Sequence, residues 1–261
     1  MTELLASPKN PLLKDIRRAA SHGSLTADGH ALAEGFHLLD EALASRVEIA
    51  AVIVSESARA ELAQRFSRLE ETRVIAVPDA VFAGISTTET PQGVVTLVRP
   101  PAWTLDDAFG ATALAIVLDG VQDPGNAGAI VRSAEAFGAT GVVFLKGSVN
   151  PYNPKCLRGS AGSVFRVPLV TGVEEAALLE AAARANAKLF AAVPRAACPV
   201  NEADFAPACA IVVGGEARGV REFLASKATA VRIPTRGVES LNAAIACAVL
   251  LYEARRQRGP Q

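Results

Sequence analysis

Three glycine-containing stretches in the second half of the chain combine tight-turn residues with polar and charged side chains that could line a ligand site. The first, DGVQDPGNAG at residues 119–128, runs into a helical pattern that carries Arg132 and Glu135. Asn126 can cap that helix, and Arg132, six residues on, can sit near the same helix start. The alternative is that Asn126 only caps and Arg132 only faces solvent. The second, GGEARG at 214–219, follows an apolar run. Gly214 and Gly215 would let the backbone approach a ligand closely, with Glu216 directly after them, although glycine turns after strands are also routine. The third, PTRGVESLN at 234–242, leads into a long helix. Ser240 is a candidate N-cap, and Ser240 and Asn242 could also point into a pocket shared with the second stretch.

Several chemistries lack their residues. There is no G-x-S-x-G elbow, no H-E-x-x-H, no G-x-G-x-x-G fingerprint and no Walker lysine. No histidine follows His37, so a Ser-His pair within the second half is impossible. Cys156, Cys198, Cys209 and Cys247 form no C-x-x-C pair and no zinc spacing. His22, His30 and His37 are expected on the surface or in packing, with no metal site. Reduced cysteines and a cytoplasmic location are the expectation.

The elements that must position these loops alternate between strand and helix. In the first hundred residues, helices are expected at 11–20, 36–44 and 57–69, and strands at 32–34, 49–54, 74–77 and 94–98. In the second part, apolar strands are expected at 114–118, 141–145, 188–193, 210–213 and 230–233, with helices at 127–137, 174–185 and 241–256. Continuous apolar strands separated by helices imply a mainly parallel sheet covered on both faces. In such sheets ligands gather at the carboxyl ends of strands, which is where the three stretches fall. The paired prolines Pro100 and Pro101 mark an irregular linker at 100–112. The last helix, about 25 Å long, has a wide stripe of Leu241, Ile245, Ala248, Val249 and Tyr252 that serves either one core face or also a second copy of the chain.

Among its 261 residues the chain has 26 Lys and Arg, 27 Asp and Glu, and a formal charge of -1, so bulk charge does not advertise a nucleic-acid partner. Hydrophobic residues make up 50%, which excludes a disordered chain. No apolar run approaches the ~18 residues of a membrane helix, and the first residues lack a basic-then-apolar signal layout. The charge is uneven. Residues 1–100 hold 10 basic and 13 acidic side chains, and residues 113–261 hold 16 basic and 12 acidic. Between Ala136 and Val173 there is no acidic residue, yet Lys146, Lys155, Arg158 and Arg166 are present. A basic loop without counter-charges suits phosphate contacts, against the alternative of a solvated loop.

The three stretches, as LDGVQDPGNAGAIVRSAEAFG at 118–138, VGGEARG at 213–219 and IPTRGVESLNAA at 233–244, resemble the three motifs of the SpoU (TrmH-like) RNA methyltransferases of the SPOUT superfamily. The Pro-Tyr-Asn-Pro-Lys loop at 151–155 matches that family too, and EGFHLL at 34–39 resembles its L30e-like substrate-binding domain. The resemblance implies an L30e-like RNA-binding domain at 1–99, a linker at 100–112 and a methyltransferase domain at 113–261. The implied fold of the latter is a trefoil-knotted, mainly parallel sheet with helices on both faces. Chains avoid knots as a rule, so the residues alone suggest an ordinary open sheet. The resemblance further implies a homodimer and S-adenosylmethionine as methyl donor, held by Gly214, Gly215, Ile233, Leu241 and Asn242. It places Arg132 at the catalytic centre with Asn126, Glu216, Ser240 and Asn242 around it, and Lys146, Lys155 and Arg158 on RNA. The implied reaction is methyl transfer to a ribose 2'-OH, in ribosomal RNA first, with a 23S rRNA guanosine as one candidate target. A tRNA 2'-O-methyltransferase, a non-catalytic RNA-binding or ribosome-assembly factor and a nucleotide-dependent dehydrogenase are the competing readings.

Overall fold

The computed structural model describes residues 2–259 apart from 67, 68, 70, 71 and 111. Residues 67 and 68 of the expected helix at 57–69, and residue 111 of the expected linker, therefore lie outside the described residues. The chain forms two units, Met1–Pro101 with Tyr152–Phe165, and Ala102–Pro151 with Arg166–Gln261.

The first unit contains β1 (Thr2–Leu4), α1 (Pro11–His22), β2 (Ala31–Glu34), α2 (Phe36–Ala44), β3 (Ile49–Ser55), α3 (Arg59–Arg65), β4 (Val74–Val77), α4 (Asp79–Ala83) and β5 (Val94–Val98). Its sheet has the order β1-β4-β3-β5-β2, with β5 antiparallel to both β2 and β3. Alternate strand residues point to opposite faces. Ala51 and Ile53 thus join Leu13 and Ile16 of α1 in one cluster, while Val52 and Val54 join Phe36 and Leu39 of α2 in another. Gly35 begins α2 at φ 100°, a left-handed value that favours glycine.

The second unit contains α5 (Leu105–Ala108), β6 (Leu114–Asp119), α6 (Pro124–Ala136) and β7 (Gly141–Leu145). The chain then gives α7 (Pro154–Ser160) to the first unit and returns for β8 (Leu169–Val173), α8 (Glu175–Arg184), β9 (Lys188–Ala192), β10 (Cys198–Pro199), β11 (Cys209–Gly214), α9 (Glu222–Ala225), β12 (Thr229–Arg232) and α10 (Ala243–Arg258). Its seven strands run β10-β12-β9-β11-β6-β7-β8, every pairing among the described residues parallel, as the apolar runs required. An ordinary doubly wound sheet grows outward strand by strand. Here β11 inserts between β9 and β6, and β12 lands outside β9. One face packs Ala115, Val117 and Val212 against Leu178 and Ala181 of α8. On the other side α10 packs against α6 and β11.

Two expectations change here. The 100–112 segment is not wholly irregular: Thr104 and Asp107 form a reciprocal capping box, and that box starts the single turn of α5. The acid-free stretch is not one loop either. It contributes β7, α7 and β8, and α7 starts where the Asn153 side chain accepts from the Lys155 N–H at 2.9 Å with Pro154 in the first helical position. All four cysteines are free, and no helix among the described residues is long and apolar enough to cross a membrane.

At the end of β2 the Glu34 side chain is only 4% exposed, so its carboxylate must be satisfied internally. It accepts from the Thr87 N–H at 2.8 Å and from the hydroxyls of Ser86, Thr87 and Thr88, and Arg158 of α7 lies 3.7 Å away. Burial by itself would raise this carboxyl's pKa, but the hydrogen bonds from Ser86, Thr87 and Thr88 outweigh it and leave the group below its ordinary value. A carboxyl lowered on folding stabilises the native state above its unfolded pKa, and that contribution disappears as pH falls through the folded value. Glu34→Gln should therefore cost about 2 kcal/mol in urea unfolding at neutral pH. The gap to the native chain should narrow as pH drops below the carboxylate range; a constant gap would show that the ionised form contributes nothing.

Candidate functional site

The register of β6 against β11 creates the site. Asp119, the last residue of β6, pairs with Gly214, the last of β11, so the first and second stretches leave the sheet side by side. They touch through backbone. A Cβ on Gly215 would stand 2.3 Å from the Gly120 carbonyl oxygen, and one on Gly214 would stand 2.0 Å from the Gly219 carbonyl carbon. The two glycines are therefore demanded by the approach of these turns to each other and to themselves, a reason distinct from the ligand approach expected from the sequence.

Capping differs from the expectation and releases the side chains that matter. Asp123, not Asn126, caps α6, accepting from the Asn126 N–H at 2.8 Å, with Pro124 in the first helical position. Asn242, not Ser240, caps α10, accepting from the N–H groups of Ala244 at 2.9 Å and Ile245 at 3.3 Å. The Asn126 amide is thus free to bridge. Its Nδ2 donates to Glu216, and its Oδ1 accepts from Asn242 Nδ2 at 3.0 Å. One asparagine side chain joins all three stretches, from positions 90 and 116 residues apart.

Beside this bridge lies a cavity of about 520 Å³. Gly214, Gly215, Ile233, Leu241 and Asn242 line it, as do Glu216 and Ser240. Its apolar wall adds Val193, Pro194 and Val231, from the carboxyl ends of β9 and β12. The loop after β9 was missed in the sequence because Arg195 is its one polar side chain in residues 193–197, although the rule that ligands gather at strand ends applies to it equally. An apolar slot edged by backbone turns and a few polar groups, of this volume, suits a small organic ligand with a flat ring system. An exposed ion pair, Arg195 to Glu239 at 2.9 Å, links the loop after β9 to the third stretch at the cavity. Being exposed, it is worth under about 1 kcal/mol.

Arg132 stands on α6 about 9 Å along the axis from Asn126. It is exposed and has no hydrogen bond or ion pair to any described residue, and it does not line the cavity. The basic residues of the acid-free stretch behave differently. Lys146 pairs with Glu174, Arg166 with Glu135, and Arg158 donates to the Thr87 hydroxyl at 2.6 Å beside Glu34. Lys155 is exposed in the first turn of α7. The expectation of a stretch without counter-charges is thereby corrected: Glu135 and Glu174, which flank it on either side, and Glu34, from far along the chain, fold onto its cations. Among the described residues no group of His, Cys, Asp and Glu could hold a metal ion.

A parallel α/β unit with an apolar cavity and converging polar side chains at the carboxyl ends of its strands defines a small-ligand-binding enzyme class. Comparison with known proteins makes this specific. Residues 113–252 match the SpoU rRNA methylase family, and residues 10–96 match the MRM3-like substrate binding domain. The chain belongs to the SpoU rRNA methylase family. It is 30% identical to a 23S rRNA guanosine 2'-O-methyltransferase of Bacillus subtilis over 96% of this chain and 98% of that one. It is 33% identical to a 23S rRNA uridine 2'-O-methyltransferase of Streptomyces viridochromogenes over 75% of this chain and 71% of that one. The AdoMet-bound rRNA methyltransferase from Sinorhizobium meliloti aligns with a TM-score of 0.85 at 27% identity, covering 98% of each chain.

The cap and the bridge of Asn242 can be separated. Asn242→Ala should lower unfolding stability by about 1 kcal/mol, and Asn242→Ser, which caps but cannot reach Asn126, should recover most of it. Urea denaturation of the three proteins decides; equal losses in both variants would place the stabilising contact in the bridge.

Proposed function

We propose that this chain is an S-adenosylmethionine-dependent RNA methyltransferase that modifies a ribose 2'-OH in ribosomal RNA, with 23S rRNA as the substrate. The observation that carries the reading is the joining of Glu216, Asn126 and Asn242 beside an apolar cavity, in a chain of this family. The cavity's residues fit the donor. Ile233 and Leu241 offer apolar contact to an adenine ring, and the turns at Gly214 and Gly215 offer backbone groups to its edge. When bound there, S-adenosylmethionine supplies an electrophilic methyl group.

The chain's own residues must then align the 2'-oxygen and let its proton leave. Arg132 holds the target phosphate and the 2'-oxygen in line. A guanidinium keeps its proton in proteins, so it clamps and does not act as base; the proton passes to a neighbouring phosphate or water. Asn126, Glu216, Ser240 and Asn242 form the polar wall facing the reacting groups. RNA contacts are expected from the cations without partners among the described residues on the three stretches, namely Arg132, Arg218 and Arg236. Lys146 and Lys155 add to them. The Lys146–Glu174 pair is exposed on both sides and weak enough for a phosphate to displace the carboxylate. Arg158, half-buried against Thr87 and Glu34, contributes chiefly by holding α7.

The residues 1–99 serve as the RNA substrate-binding domain, joined by the linker at 100–112 to the methyltransferase domain at 113–261. The same reading includes a cytoplasmic homodimer. Exposed Ile245 and Tyr252 on α10, at 55% and 59%, support self-association, since large apolar side chains grouped on a surface mark contact sites. It also includes the trefoil knot, which the insertion of β11 between β9 and β6 supports.

Tritium transfer from labelled cofactor to total RNA, followed by mapping of 2'-O-methyl sites with and without the gene, tests the activity. Label in rRNA is expected; label confined to tRNA, or RNA binding without transfer, would replace this reading. For the clamp, Arg132→Lys should reduce the rate about 100-fold with an unchanged pH profile, because a point charge cannot hold two groups at once. Near-full rate with a lowered kinetic pKa would instead make residue 132 the base. RNA affinity should fall with salt at a log–log slope of about -3.5, the value for roughly five phosphates, and Arg218→Gln should reduce it by about 1. A slope implying ten or more contacts would contradict a contact set limited to the five cations named above.

A further inference from the structure

Asp119 takes no part in the mechanism above, yet its placement is unusual. Its side chain is fully buried at the end of β6. A buried carboxylate needs donors close at hand, and here two come from one residue. The Arg221 N–H donates at 2.7 Å and Arg221 Nε donates at 2.5 Å. The other face of the same guanidinium meets Glu175 of α8 at 2.6 Å. At the same time the main-chain carbonyl of Asp119 accepts from the Gly215 N–H at 3.0 Å.

One residue therefore ties down both ends of the 215–221 loop. Within the loop the Gly219 N–H donates to the Gly215 carbonyl at 2.8 Å, which closes it into a tight turn. Glu216 stands on that turn and reaches Asn126. The carboxylate is thus too far inside to meet RNA, but it holds the end of the segment whose Gly215, Glu216 and Gly219 line the cavity.

We propose that Asp119 is the positioning residue of Glu216, acting through Arg221 to hold the loop in the one arrangement that meets Asn126. The proposal rests on the methyltransferase reading for its catalytic consequence and on geometry alone for the clamp. The conservative change Asp119→Asn keeps the shape but turns an NH2 group toward N–H donors, leaving buried donors facing each other. The loop contains Arg218, exposed and followed by Gly219, which makes it a tryptic site whose cleavage reports loop opening.

The experiment is limited trypsin digestion of the full chain with mass identification of the cut after Arg218, alongside methyl-transfer kinetics. At a temperature well below its own unfolding transition, Asp119→Asn should raise the rate of that cut about 10-fold while tryptic sites elsewhere in the second unit are cut at the native rate. It should lower kcat about 30-fold in the native background but under about 3-fold in a Glu216→Gln background, because both changes remove the same contribution. An unchanged cut after Arg218, or kcat losses that multiply in the double variant, would overturn the proposal. If Asp119→Asn does not fold, Arg221→Met serves. It keeps the backbone donor and removes the Nε donor, so it should give the same non-additive loss with Glu216→Gln at smaller amplitude. If the native chain transfers no methyl group, the enzymatic reading fails by itself, and the proteolysis still reports whether Asp119 holds the loop.

Discussion

The pairing of β11 beside β6 is the constraint on which the second unit depends. With Gly214 in register with Asp119, two turns that are nearly a hundred residues apart in the chain emerge at the same height. They are pressed together until only hydrogen fits on Gly215 against the Gly120 carbonyl oxygen. Had the strands been added in order, β9 would occupy that place and Glu216 would leave the sheet from a different position. Polar side chains at strand ends then need no long reach. Asn126 spans to Glu216 on one side and Asn242 on the other with ordinary hydrogen bonds, because the strands have already removed the distance. A bridge of this kind fixes orientation more than it adds stability: one neutral hydrogen bond near the surface is worth about 1 kcal/mol.

Most strands were legible, but β1, β8 and β10 were not expected: β1 and β10 are only three and two residues long, and β8 has Gly172 inside it. Runs such as 114–118 and 210–213 are apolar without alternation, and this is how a strand covered on both faces reads. The three motif stretches were legible as well, since each lies where a strand must end. Capping was misjudged although its signal was present. In Asp123-Pro124-Gly125-Asn126 the proline suits the first helical position, which makes Asp123 the cap and puts Asn126 inside the first turn. A like signal, Asn153 followed by Pro154, marks the start of α7. The strand order could not be read from the residues, because nothing local tells β11 that it will lie inside β9 and not beyond it. That information sits in the pairing of whole faces.

Charge shows the same division between local and distant information. The stretch from Ala136 to Val173 has no acid in its sequence, and a count along the chain makes it a phosphate surface. In the fold, Glu135, Glu174 and Glu34 are brought to Arg166, Lys146 and Arg158, so much of that positive charge is already answered. What counts for a polyanion is the cation that folding leaves without a partner. On the motif segments that measure picks out Arg132, Arg218 and Arg236, one on each and each exposed, although Lys9, Lys14, Arg46, Arg59 and Lys227 are likewise exposed without a side-chain partner among the described residues. The three arginines stand on the same short segments as Asn126, Glu216 and Ser240. Exposed positive charge and the Asn126 bridge thus come from the same three segments. A total charge of -1 does not prevent local positive charge of this kind, because beyond about a Debye length the acids elsewhere on the chain are screened from a few arginines on neighbouring turns.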